Sequence, residues 1–280
     1  MDTQRERCPA CDTLFQGSFC HECGEKRISP EDKKLRHFLE ELVASVFVAD
    51  GKFFRTIKLL ISKPGALTHS FILGVRKKYL SPFQMFFFAN LIYFIFPVIS
   101  TFNTSLYIQM NGLPYSAIVR PLVEQKVQDE GLKMEEFTEV FERNSESIAK
   151  LLLIILVIMQ GVVLRVLFRK RRDLYFLDFL AEAAYFYGFY ILIFLVAVPG
   201  LFVLLQNQLD FRFGWFFNET SLSIFFLVAI WIYGFFQMKR AFTISKWESL
   251  WKSLVLGLWV IPGFIIYRFI LFWVSFWMSS

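Results

Sequence analysis

Five stretches of this sequence are apolar for long enough to cross a bilayer, and that property decides what the chain can fold into. A backbone crossing lipid meets no water, so each span of about 20 residues must satisfy its own N–H and C=O groups as a helix. The first stretch runs from Pro82 to about Phe102 without a charge, and the second from about Ile148 to Phe168, with Lys150 and Arg165 near its ends. The third is about Ala183–Leu205, the fourth about Thr220–Met238, and the fifth about Ser253–Trp277, interrupted by Arg268. Composition agrees: 56% of residues are hydrophobic, against about 45–50% in soluble domains, and 36 are phenylalanine.

Basic residues flanking the spans give the orientation. Arg76-Lys77-Lys78 precedes the first span, Arg169–Arg172 follows the second, and Lys239, Arg240, Lys246 and Lys252 surround the fourth connection. Five spans put all these clusters on one side, which the positive-inside rule makes the cytoplasm; the N-terminus is then cytoplasmic and the C-terminus outside. The long connection, about 103–147, falls outside and is acidic, with Glu124, Asp129, Glu130, Glu135, Glu136, Glu139, Glu142 and Glu146 against four basic residues. Lys133–Arg143 reads as a short amphipathic helix of its own, a solvated cap before a partner surface.

Residues 1–37 are polar and charged and read as untranslocated. All four cysteines fall there, as Cys8-Pro9-Ala10-Cys11, eight residues, then Cys20-His21-Glu22-Cys23. Two such pairs place four thiolates around one tetrahedral ion; zinc in a structural role comes first, then iron in a rubredoxin-like site, then a redox dithiol. So short a unit, about residues 1–28, cannot build a core without metal.

Residues 29–81 carry two amphipathic helices. Ser29-Pro30 opens the first, whose apolar face runs from Leu35 to Phe47, and Asp50-Gly51 stops it. Phe53, Phe54, Ile57, Leu60 and Ile61 face the second against Arg55, Lys58 and Lys63, before Pro64-Gly65 breaks it. Such helices suit the membrane interface; the alternative is packing on the bundle's cytoplasmic end. Arg76, Lys77, Lys78 and Tyr79 sit at headgroup level, either contacting anionic lipid or only setting topology.

The order Cys8, Cys11, Gly17, Cys20, Cys23-Gly24, then Asp50-Gly51, Arg55-Thr56, Lys63-Pro64-Gly65, Gly74–Tyr79 and Pro82 resembles the domain-of-unknown-function 3667 family. These are bacterial inner-membrane proteins with an N-terminal zinc ribbon, and the resemblance covers about residues 8–95. It implies an inner-membrane location and no particular reaction.

Within 82–280, ionisable residues inside spans are functional candidates because lipid makes them costly. Arg268 lies outward of the fifth span's midpoint, while Asp178 and Glu182 lie one turn apart at the entrance of the third. An ion-pair cluster of these carboxylates with Arg165 and Arg169 ranks ahead of a proton relay. No catalytic residue is assigned: there is no His-Glu-x-x-His pair, nucleophile elbow or phosphate loop. Nucleic acid is not expected as a partner.

The sequence therefore predicts an all-α membrane protein of about five spans, preceded by a four-cysteine zinc ribbon and two interfacial helices. A non-enzymatic scaffold or adaptor, whose ribbon binds a protein partner or reports metal status, ranks first. A transporter of lipid or a small amphiphile is second, and an intramembrane enzyme third. A cavity lined by Arg268 and carboxylates would favour transport, and a filled bundle the scaffold.

Overall fold

Runs of Phe, Leu, Ile and Val with few breakers leave a membrane-embedded backbone one choice, and the apolar stretches fold as helices. The computed structural model describes residues 6–7, 13–17, 20–22, 51–75, 78–97, 102–209 and 219–279, in two compact units, Met1–Phe53 and Phe54–Ser280. In the first unit β1 (Glu6–Arg7) and β2 (Leu14–Phe15) pair antiparallel, Glu6 opposite Phe15 and Arg7 opposite Leu14. The helix expected from Ser29 lies outside the described residues.

The remaining elements are α1 (Lys52–Ser62), α2 (Ala66–Ile72), α3 (Pro82–Ile95), α4 (Leu106–Asn111), α5 (Ser116–Asp129), α6 (Met134–Leu167) and α7 (Phe176–Phe189). A π-helical segment, Tyr190–Ala197, then leads to α8 (Val198–Leu209), α9 (Glu219–Ala241) and α10 (Lys246–Met278). Among the described residues three helical runs are long and apolar enough to cross a membrane: Met134–Leu167, Phe176–Leu204 and Lys246–Met278. The chain is a largely helical, multi-pass membrane protein.

Helix α7 is the axis of the bundle. Every residue from Ala181 to Phe189 is buried, with α3 and α6 along its sides. Small residues permit the approach: a Cβ on Gly161 would lie 2.7 Å from Leu180 Cδ2, and one on Gly188 would lie 3.4 Å from Met85 Cγ. Polar side chains tie helix to helix. Tyr267 donates to the Ala149 carbonyl at 2.8 Å, and Asn90 donates to that of Lys150 at 2.8 Å.

Element boundaries differ from the sequence reading for local reasons. Helix α3 ends at Ile95, because Pro97 disfavours helical geometry at the residue before it. The amphipathic helix expected at Lys133–Arg143 is not separate but forms the first turns of α6. Nothing between Arg143 and Ile148 breaks a helix, and i,i+4 ion pairs Arg143–Glu139 (2.8 Å) and Lys150–Glu146 (3.5 Å) bridge the junction. Phe137 and Phe141 pack on Phe272 and Phe276 of α10, together with Leu106, Tyr115, Val119 and Val123, and so seat the acidic cap. Lys126 clamps it further, donating to the Phe276 carbonyl at 2.8 Å.

The opposite end of this unit gathers the basic clusters. The C-terminal turns of α6 and α9 meet the first turns of α7 and α10 around Leu164, Phe168, Phe179, Met238 and Phe242. Helices α1 and α2 dock there. Tyr233 donates to the Leu60 carbonyl at 2.9 Å, Arg240 to that of Pro64 at 2.8 Å, and Thr56 Oγ1 accepts from Leu80 N at 3.0 Å. The buried face of α1 thus packs on protein rather than lipid. Its outer face keeps Phe54, 75% exposed, and Ile61 beside Arg55 and Lys58, with exposed Lys63 just past its end.

Candidate functional site

Beyond Phe189 the third crossing leaves α geometry for two turns. Pro199 has no N–H for the carbonyl four residues back, and the π segment precedes it. A π turn carries an extra residue and re-phases the side chains around it; such turns recur at functional sites. Here Tyr190, Phe194 and Leu195 of the π segment, Phe226 and Trp231 of α9, and Gly257 and Phe264 of α10 enclose a groove of about 800 Å³. Gly257 faces Trp231 there: a Cβ would stand 3.6 Å from Trp231 Cδ1, in ordinary contact, so a side chain much larger than alanine's is what would fill the groove. Leu227, Leu254, Leu258 and Ile261 line it and are also exposed, so its mouth opens on an apolar outer surface of the bundle.

A smaller chamber of about 20 Å³ shares Phe186, Ile230, Trp231, Gly257 and Val260 with this groove and adds Gln160, Glu182 and Ser253. Glu182 is 1% exposed, and its Oε2 accepts from Gln160 Nε2 at 3.3 Å. Gln237 Nε2 donates to the Glu182 carbonyl at 3.1 Å, which leaves Gln237 Oε1 buried without a partner in the structure, as is Trp231 Nε1. A carboxyl group at this depth is costly, and in membrane helices such groups mark ligand or ion sites.

The three intramembrane candidates separate. Asp178 Oδ2 accepts from Tyr175 N at 2.9 Å and caps α7. Its turn-mate Glu182 faces the chamber, while Arg165 and Arg169 are exposed. Arg268 is eleven residues past Gly257, about 16 Å along α10, beside Tyr115 of the cap. Burial pushes the Tyr115 hydroxyl up to about 12, against the opposing influence of Arg268. The expected pairing of Asp178 and Glu182 with Arg165 and Arg169 is therefore replaced: one carboxylate caps a helix and the other binds Gln160.

At the basic end, Arg171 bonds Asp173 through two nitrogens, at 2.8 and 2.7 Å, and reaches the Phe242 carbonyl at 3.1 Å. That fork holds the Asp173 carboxyl down to about 2. Lys78 Nζ lies 5.6 Å from the Tyr79 ring, and Arg76 and Lys77 lie outside the described residues. Of the four cysteines Cys20 is described; it is 2% exposed and clusters with Phe15. Cys8, Cys11 and Cys23 lie outside the described residues.

Sequence reasoning missed Gln237, Trp231 and Gly257. Glutamine in the last turns of a predicted span was the available signal, but a glutamine in such a place is commonly helix–helix glue.

Residues 50–94, which span α1, α2 and nearly all of α3, match a family described as a protein of unknown function (DUF3667). No curated protein and no solved structure is significantly similar to the chain.

Proposed function

We propose that this chain is a non-enzymatic, five-span protein of the bacterial inner membrane that binds a lipid or small amphiphile in the groove between the π segment, α9 and α10. The groove carries the reading. It is apolar along its length, open toward lipid, and has a buried carboxyl group at its inner end. Its volume lies within the ~300–1,000 Å³ usual for small-molecule sites. The sequence-level expectation for a transporter asked for a cavity with carboxylates and Arg268; Glu182 supplies the first, and Arg268 is not among the residues that line the groove or the chamber.

Filling the groove tests this. Gly257→Phe would push an aromatic ring against Trp231 and should reduce co-purifying lipid several-fold, counted by mass spectrometry of the detergent-purified protein. Undiminished lipid would reject the groove as the site.

In this reading the apolar segments that include Pro82–Ile95, by itself a short helix of 14 residues, and Glu219–Ala241 also cross the membrane, making five spans with the basic end in the cytoplasm. Arg76, Lys77, Lys78 and Tyr79 then meet anionic headgroups, supported by the aromatic and basic outer face of α1. A reporter fused after Ser280 should be active only outside the cytoplasm, and cytoplasmic activity would reject five spans. A zinc ribbon of Cys8, Cys11, Cys20 and Cys23 stands on the cytoplasmic side. The scaffold role survives as a second reading for this part alone, because Met1–Phe53 is a unit of its own.

A further inference from the structure

We propose that the chamber at Glu182 receives the ammonium head of a single-chain cationic amphiphile whose tail lies in the groove. This rests on the groove being an amphiphile site and names its ligand class.

Size limits the head first. A space of about 20 Å³ holds one water-sized group, so –NH3+ or –OH fits, while a phosphodiester or sugar does not. Chemistry then selects between the two. The chamber offers the Glu182 carboxylate, whose Oε2 has the Gln160 amide as its hydrogen-bond donor. Gln237, tied to the backbone of the same residue through its Nε2, has a buried and unmatched side-chain oxygen but does not line the chamber, so the carboxylate is the acceptor that counts. An ammonium brings three donors and the compensating charge, whereas a hydroxyl brings one donor and no charge.

The protein's own nearest lysine along α10 is committed elsewhere. Lys252, next to the chamber-lining Ser253, pairs with Glu248 at 2.5 Å and lies 3.4 Å over the Phe168 ring. Phe186 and Trp231 line both the groove and the chamber at Glu182, and aromatic side chains of this kind attract a cation and tolerate an alkyl chain. One feature favours the rival: the Trp231 N–H is unmatched and would suit a hydroxyl oxygen. Long-chain alcohol is thus the competitor an amine must beat.

The test is a competition between hexadecylamine and hexadecanol for the purified full-length protein in maltoside micelles, with bound ligand counted by native mass spectrometry. The wild type should favour the amine by roughly tenfold or more, as a desolvated charge pair implies. Glu182→Gln is isosteric and should erase that preference while hexadecanol still binds; Gly257→Phe should lose both ligands. Trp231→Phe keeps the aromatic wall and removes the N–H, so the amine preference should persist or grow. That variant carries the test should Glu182→Gln fail to fold. Equal binding of amine and alcohol, a preference that outlives Glu182→Gln, or one abolished by Trp231→Phe would overturn the ammonium assignment and leave the groove intact. Failure of both ligands to bind the wild type would overturn the groove as well.

Discussion

Gly65→Ala should destabilise the folded chain far more than Gly74→Ala, although the two glycines share the same backbone conformation. Both have φ +83°, a left-handed geometry that costs an L-residue about 1–2 kcal/mol. Only their surroundings differ. A Cβ at Gly74 meets nothing within 4 Å. At Gly65 it would collide with the Gln237 carbonyl oxygen and stand 2.9 Å from Ala241 N, both on the backbone of α9. Helix backbone cannot step aside as a side chain can, so overpacking should add about 1–3 kcal/mol. The pair of variants isolates that contact, because the left-handed penalty cancels between them. Unfolding in detergent, followed by loss of helical signal, should rank wild type above Gly74→Ala and Gly74→Ala above Gly65→Ala. Equal losses would mean that α2 does not seat on α9 as described.

That contact shows what a sequence can and cannot carry. Pro64-Gly65 is legible as a break, since proline and glycine act through local backbone geometry. That the break exists to bring α2 against α9 is not legible, because Gln237 and Ala241 lie more than 170 residues away. The same division runs through the chain. Long apolar runs announce helices, and Met134–Leu167, Phe176–Leu204 and Lys246–Met278 are there. The sequence reading separated the amphipathic start of α6 from its apolar end by their different solvents, but a helix does not stop where its surroundings change. Only a breaker stops it, and residues 144–147 contain none.

The buried carboxyl was half legible. Asp178 and Glu182 stand out because carboxylates are costly in a span, and the basic run nearby suggested ion pairs. Spacing cannot say which way each turns. Tyr175 N drew Asp178 into a cap, while Glu182 points across the helix to Gln160 on α6. The groove left still less trace. It depends on the phase change of the π segment and on one glycine opposite one tryptophan, and neither has a periodic signature. Glycine is common in membrane helices, so Gly257 alone says nothing.

Elemental analysis of freshly prepared, reduced protein should find one zinc per chain, absent from Cys11→Ser and Cys23→Ser. Two Cys-x-x-Cys pairs supply four thiolates, the donor set of a closed tetrahedral site. In the described part of this unit two residues pair with two in a minimal hairpin, and Phe15 with Cys20 makes its only buried apolar cluster. A segment of some twenty residues is too short to build a core that offsets its ordering at about 1–2 kcal/mol per residue, whereas a structural zinc contributes roughly 10–16 kcal/mol of binding free energy. The hairpin pairs Glu6–Arg7 with Leu14–Phe15, so in sequence it brackets Cys8 and Cys11, and the buried Cys20 follows it. Membrane insertion should survive loss of the metal, because the spans satisfy their backbones within themselves. A drop in metal content without a drop in membrane yield is therefore the expected signature. His21 is exposed, and His21→Ala should retain zinc if all four ligands are sulfur. Zinc lost from His21→Ala alone would replace one thiolate with that histidine, and wild-type protein without stoichiometric metal would discard the ribbon.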